Sequence, residues 1–216
     1  MPGAPGHAEG LTMTAGNSPW VKPVTLAGQH VRLEPLALEH VETLGVAATD
    51  GDLWKLWYTA VPSPDKAQTY VETALAQREL GKAMAFVVKD AQGAVVGSTR
   101  YGNIDADNRR VEIGWTWYAA SVQRTALNTE AKLLLLAHAF ETLGAIAVEF
   151  RTSWFNHRSR NAIARLGAKQ DGVLRNHMIM PDGTRRDTVV FSILDSEWPA
   201  VRKHLQYKLD EPATPA

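Results

Sequence analysis

Apolar and polar positions change rhythm several times along this chain, and each rhythm predicts an element. VRLEPL (31–36) has strand character, and LALEHVETLGVAA (36–48) repeats its apolar residues at helical spacing. GDLWKLWYTAVPSP (51–64) is aromatic and ends in prolines, the composition of a loop that packs. Asp65 can cap the next helix, DKAQTYVETALAQREL, which Gly81 stops. AMAFVVKD, AVVGSTRYGNI and RRVEIGWTWYAA then read as three strands, separated by turn signals at DAQG and at Asp105–Asn108. A helix over 127–143 ends at Gly144, and AIAVEFRTS (145–153) has the apolar content of a strand buried on both faces. A short helix, HRSRNAIARL (157–166), is stopped by Gly167. GVLRNHMIM and RRDTVVFSIL form a hairpin around MPDGT, and a last helix covers Asp195–His204. The order β α α β β β α β α β β α is that of one mixed α/β domain. The helix at 127–143 joins two strands predicted to lie side by side and parallel.

Alternation within strand 110–118 puts Glu112, Gly114 and Thr116 on one face. Val111, Ile113, Trp115 and Trp117 fall on the other. Just after this strand, SVQRTALNTEAKLLL runs from a polar, Arg-containing turn into a strong helix former. Residues 123–128 read as the turn and Asn128 or Thr129 as the N-cap. Such a junction turns backbone N–H groups and a partial positive charge toward an anion, and Arg124 adds a whole charge. A pyrophosphate suits it. A capped core helix with an exposed arginine is the plainer alternative. Neither the G-x-x-x-x-G-K-[ST] nor the G-x-G-x-x-G nucleotide loop is present.

Composition narrows the field. The 216 residues suffice for a sizeable core without staples. Basic and acidic residues balance at 23 each, which argues against a nucleic-acid or acidic-membrane partner. With no cysteine, disulfides, thiolate zinc sites and a cysteine nucleophile are excluded, and a cytoplasmic setting fits. No run of about 18 apolar residues predicts a membrane span, and the N-terminus lacks the basic start and apolar stretch of a secretory signal. The seven histidines show no short ligand spacing, so no metal is expected. VGSTRYG does not spell the serine-hydrolase elbow.

The element order, the turn at 123–128 and NHRSRNAIARLGAKQDGVLR (156–175) together resemble the GNAT superfamily of N-acetyltransferases, in particular its RimJ/RimL-type branch. LWKLW (53–57), VEIGW (111–115) and TEAKLLLLAHAFE (129–141) add to the likeness, which covers roughly residues 24–205. The resemblance implies a mostly antiparallel sheet of about seven strands with a splayed parallel pair, flanked by helices. It fits a domain at 23–207, and the composition of the two ends marks a flexible arm (1–22) and tail (208–216). It also implies acetyl-CoA as acyl donor, a primary amine as acceptor, and the homodimer common in this branch.

By the same resemblance, the pattern Q/R-x-x-G-x-G/A for the acetyl-CoA pyrophosphate falls on Gln123, Arg124, Thr125, Ala126, Leu127 and Asn128, with Thr129 next. Ala126 and Asn128 depart from its small residues. The backbone of Trp117 and Tyr118 would pair with the pantetheine arm, and Asn156 and Ser159 match the element beside the thioester. Glu112 matches the strand carboxylate that acts as base, with an ion pair to Arg100, Arg109 or Arg110 as its structural alternative. The tyrosine that protonates the thiolate in some members is replaced by Ile163, leaving Ser192 or water. The acceptor would lie by Trp54, Trp57 and Tyr58, with Arg175 and His177 near the same end beside Arg185 and Arg186. Only a neutral amine attacks a thioester. At pH 7 that costs an α-amine about 1 kcal/mol and a lysine about 4.6 kcal/mol, so an α-amine acceptor is the easier substrate. The missing tyrosine and altered glycines leave room for a non-catalytic acyl-CoA sensor or interaction module on the same fold.

Overall fold

The computed structural model describes residues 19–59 and 61–211. Most of the arm assigned to 1–22, and the end of the tail, lie outside them. Trp20 and Val21 belong to the folded body. The indole Nε1 of Trp20 donates to the Leu143 carbonyl at 2.9 Å, and Val21 is buried.

Eight strands form one sheet: β1 (Leu26–Ala27), β2 (Val31–Pro35), β3 (Met84–Asp90), β4 (Val95–Asp105), β5 (Arg110–Tyr118), β6 (Ala147–Ser153), β7 (Lys169–Ile179) and β8 (Arg185–Leu194). Their order is β1-β2-β3-β4-β5-β6-β8-β7, and only β5 and β6 are parallel. The eighth strand relative to the expected seven is β1, whose two residues carry no pattern of their own. Five helices accompany the sheet: α1 (Val41–Thr49), α2 (Ala67–Glu79), α3 (Ala126–Ala137), α4 (His157–Ala164) and α5 (Trp198–Asp210).

Alternation in β3 shows how the layers are built. Met84, Phe86 and Val88 face a core shared with Leu127, Ala131 and Leu135 of α3 and with Val201 and Leu205 of α5. Ala85 and Val87 face Leu44 and Ala48 of α1 and Val71 and Ala74 of α2. A sheet covered on both faces explains the near-continuous apolar strands.

Several boundaries differ from the sequence reading. Asp65 is no cap: a 3-10 turn over Pro64–Lys66 starts from Ser63, with Pro64 in the first helical position, where its missing N–H costs nothing. Beyond Ala137 the helix widens into a π turn over His138–Thr142. The final helix begins at Trp198, three residues late, and runs to Asp210.

One contact fixes α3 on the sheet. The Glu130 carboxylate accepts the backbone N–H groups of Gln29 (2.8 Å), His30 (2.6 Å) and Val31 (2.9 Å), which lie in or beside the β1–β2 turn. Bonds to a charged acceptor are the strong kind, and removing it orphans donors that are wholly or partly buried. Glu130→Ala is expected to lose about 3 kcal/mol, read as a lower denaturant midpoint. Glu130→Gln should fall in between, because its amide turns an N–H toward one or more of those donors. Wild-type midpoints in both variants would refute this anchoring.

Candidate functional site

The site starts where two strands separate. β5 pairs with β6 at Arg110–Ala147, Val111–Val148 and Glu112–Glu149 and then leaves it. Residues 113–118 remain held by β4 on one side, and no strand among the described residues pairs with their other side. An extended ligand bearing amides can pair with such an edge.

β5 is also not a simple alternating strand. Arg100 of β4 pairs with Gly114, but Ser98 pairs with Trp117, so one residue of β4 faces two of β5. That is a bulge, and Trp115 within it has φ +50°. The extra residue corrects the faces read from strict alternation. Trp117 joins Glu112 on the α1/α2 side, and Thr116 turns to α3, where it accepts the Lys132 Nζ at 2.8 Å. Trp115, grouped above with core positions, is 41% exposed.

Glu112 sits where pairing with β6 ends. Its Oε2 accepts from Asn103 Nδ2 at 2.6 Å and lies 3.6 Å from Arg151 Nε. None of Arg100, Arg109 and Arg110 pairs with it; Arg110 binds Glu149 instead. Burial pushes the Glu112 carboxyl above the ordinary glutamate value of 4.5, against the pull of the Asn103 bond and the Arg151 charge. A cavity of about 220 Å³ opens beside it, lined also by Asn103, Glu149 and Arg151. Gly114 makes room for this carboxylate, since a Cβ there would meet Oε1 at 2.7 Å.

The helix start lies at the far end of β5. Its N-cap is Thr125, whose Oγ1 accepts the Leu127 N–H at 3.3 Å, so α3 begins at Ala126 rather than after Asn128. Ala126, Leu127 and Asn128 form its first turn, where N–H groups have no intrahelical acceptor. The left-handed residue is Arg124 (φ +62°), exposed beside them. Gln123 ties the loop together: Nε2 donates to the Tyr118 carbonyl at 2.9 Å, and Oε1 accepts from Arg158 at 2.8 Å. Asn156 caps α4 through the Ser159 N–H at 3.0 Å. Thr129 is buried and accepts from Arg165 at 3.0 Å. Three cations thus stand at this end, Arg124, Arg158 and Arg165, of which the sequence reading named only the first.

Among the described residues Trp117 Nε1 and the Tyr118 hydroxyl are buried without partners, and burial raises the Tyr118 phenol above its ordinary value. Lys132 is buried on the α3 side of β5, and burial pulls its ammonium down to about 7. Nothing in the sequence flagged Asn103, Arg151 or Lys132, because strand register and helix packing bring them to β5. Arg158 lay within a segment singled out for its neighbours.

The remaining residues lie elsewhere along the sheet. Trp57, 57% exposed, packs on Tyr58 and on Phe155, which follows β6, at ring distances of 5.6 and 5.5 Å. The 51–59 loop thus reaches across to the end of β6. Trp54 is half-buried against the α1/α2 core. On the β7–β8 hairpin Arg175 pairs with Asp187 at 2.5 Å, and His177 Nδ1 lies 3.1 Å from Thr188 Oγ1. Ser192 is two strands from β5 and donates to Asp171 at 2.9 Å.

Residues 30–169 match the family described as "Acetyltransferase (GNAT) domain". The Bacillus subtilis protein "Putative ribosomal N-acetyltransferase YdaF" is 28% identical over 172 residues, which are 77% of this chain and 86% of that one. A GCN5-related N-acetyltransferase from Brucella melitensis is similar in structure at 31% identity and TM-score 0.78, over 88% of this chain and 87% of that one. Mycobacterium smegmatis RimJ, in complex with CoA-disulfide, shares the fold at 21% identity and TM-score 0.73, over 86% and 95% of the two chains.

The buried carboxyl makes a prediction about stability. The folded pKa of Glu112 exceeds its unfolded value, so the folded state holds the proton more tightly. The stability this contributes is present below 4.5 and is lost as pH rises through the folded pKa. Stability of Glu112→Gln relative to wild type should therefore climb across that window and then level off. Denaturant unfolding as a function of pH measures it, and a flat difference would refute the burial argument.

Proposed function

The chain belongs to the GNAT family of acetyltransferases, and from that premise we propose that it moves an acetyl group from acetyl-CoA to a primary α-amine by direct attack in a ternary complex. The observation that carries this reading is the buried Glu112 at the point where β5 and β6 part, with a cationic helix start at the other end of the same free edge. Acetyl-CoA, when bound, supplies the thioester carbonyl that a neutral amine attacks.

The residues present fit that guest. Arg124, Arg158 and the first N–H groups of α3 offer charge and donors to a pyrophosphate. Ala126 and Asn128 stand in helical positions, where neither needs glycine, so these departures leave the site open. No described strand pairs with the outer edge of 113–118, which includes Trp117 and Tyr118, so this edge can meet the amides of a pantetheine arm, with the Tyr118 carbonyl already taken by Gln123 Nε2. Asn156 and Ser159 at the start of α4 border the same gap through Arg158 and Gln123.

Glu112 accepts the amine proton, directly or through one water in its cavity. Its raised pKa suits it to an α-amine, which needs only a weak base near neutrality. Asn103 and Arg151 hold the carboxylate in place. Water, rather than Ser192, supplies the proton that balances the transfer. The Ser192 hydroxyl is already committed to Asp171. Trp57 and Tyr58 close the acceptor side over the end of β6. The acceptor is a protein N-terminus or a small α-amine; the Bacillus relative is named a putative ribosomal N-acetyltransferase.

Two measurements test this. In calorimetry, Arg124→Ala should weaken acetyl-CoA binding by about 10-fold, the loss of one charge-assisted contact; an unchanged isotherm would remove Arg124 from the site. For Glu112, activity should fall as pH drops through its raised pKa, because the protonated carboxyl cannot accept a proton. In Glu112→Gln the rate should fall by about 100-fold or more and that acidic limb should vanish. Wild-type rates across pH in the variant would exclude Glu112 as the base.

A further inference from the structure

Among the described residues Arg100 is the one fully buried arginine of this sheet, and no anion pairs with it. It is 5% exposed at the centre of β4. None of the ion pairs among the described residues includes it, and its Nε has no hydrogen-bond partner. Its guanidinium lies instead between two rings, 5.6 Å from the centroid of Tyr70 and 5.2 Å from that of Trp115. Both rings are fixed. Tyr70 donates to Ser98 Oγ at 3.1 Å, and Trp115 lies so close over Gly102 that a Cβ there would meet its ring at 2.2 Å. These three side chains line a cavity of about 290 Å³ with Lys66, Thr69 and Thr73, and no carboxylate lines it.

A cation taken out of water without a partner is strongly unfavourable, and π faces compensate only part of the loss. A guanidinium is built to meet a carboxylate with two parallel N–H bonds. Lys66 at the rim and two threonine hydroxyls supply further donors. The cavity opens on the face that carries Glu112. Arg100 pairs with Gly114, whose missing Cβ makes room for the Glu112 carboxylate, and Gly102 beneath Trp115 pairs with Glu112 itself.

We infer that Arg100, framed by Tyr70 and Trp115, is the specificity determinant of the acceptor site and binds a carboxylate of the acceptor while its amine lies toward Glu112. This rests on the acetyl-transfer reading for the meaning of "acceptor" but not for the carboxylate site itself. The substrate class is an α-amine that carries an anionic group: a free amino acid through its α-carboxylate, or a peptide N-terminus through an acidic side chain.

Two isosteric pairs test it. Alanine against alaninamide isolates an α-carboxylate, and Asp-Ala-Ala-amide against Asn-Ala-Ala-amide isolates a side-chain carboxylate. Wild-type kcat/KM should favour the acidic member of at least one pair by about 30-fold or more. Which pair responds identifies the source. Arg100→Met should bring that ratio toward one while keeping its calorimetric affinity for acetyl-CoA, and the exposed Lys66→Met should lower the ratio less. Ratios near one in both pairs for the wild type, or a full ratio in Arg100→Met, would overturn the inference. Should no amine be turned over, calorimetry of the same pairs in the presence of CoA decides separately. Arg100-dependent preference for the acidic member would keep the carboxylate site and remove acetyl transfer. No preference would remove the site.

Discussion

The separation of β5 from β6 is the constraint on which the rest of the structure depends. Parallel neighbours in the interior of a sheet ordinarily pair along their length, because an unpaired backbone group away from water is costly. Here pairing stops after Glu112 and Glu149, while β5 stays attached to β4 and β6 to β8. Each strand follows its other neighbour away from the gap, β5 with β4 and β6 with β8. The cost of an open edge is tolerable if a ligand carrying its own amides fills it, as expected of a cleft that takes an extended pantetheine arm.

The bulge at Trp115 converts that gap into a site with two sides. One extra residue in β5 re-aims every side chain after it. Thr116 then meets Lys132 under α3, while Trp117 enters the α1/α2 core and Trp115 stands over Gly102 beside Arg100. Without the insertion, Trp115 would point toward α3, where Leu127, Leu135 and Leu136 already fill the core. The start of α3 therefore lies at one end of the gap, and Glu112 lies on the α1/α2 side of the sheet.

Much of this was legible in the chain, and the failures have physical causes. Element order follows from apolar periodicity, which is local, and the parallel pair follows from the helix between its strands. The cap of α3 was misplaced by three or four residues because Thr125, Asn128 and Thr129 are all good capping types, and only the path of the turn selects among them. The bulge was invisible because VEIGWTWY alternates cleanly as written, and nothing local announces the left-handed Trp115. The ion-pair partners of Glu112 were missed for a different reason. Neighbouring arginines in sequence were weighed, but Arg151 comes from the adjacent strand. Glu130 read only as part of a helix, though it bonds a turn about a hundred residues earlier.

Where local rules break also carries information. Arg109, Trp115 and Arg124 have backbone conformations unfavourable for side chains of their size, and among the described residues Arg100, Trp117, Tyr118 and Arg186 keep buried polar atoms without partners. Five of these seven lie on β4, on β5 or in the loop that follows it, Arg109 lies in the turn between those strands, and Arg186 lies on β8. Strain and orphaned polar groups lower stability, and they persist where surrounding structure enforces them and function requires them. Compensated features lie elsewhere: Glu130 has all three of its donors, and Lys89 and Arg32 share Glu34. The uneven distribution separates scaffold from working surface without reference to any relative. It sets Arg100 apart from the other buried charges of the sheet, because Glu112 has Asn103 and Arg151 whereas Arg100 has only two aromatic faces and an open cavity.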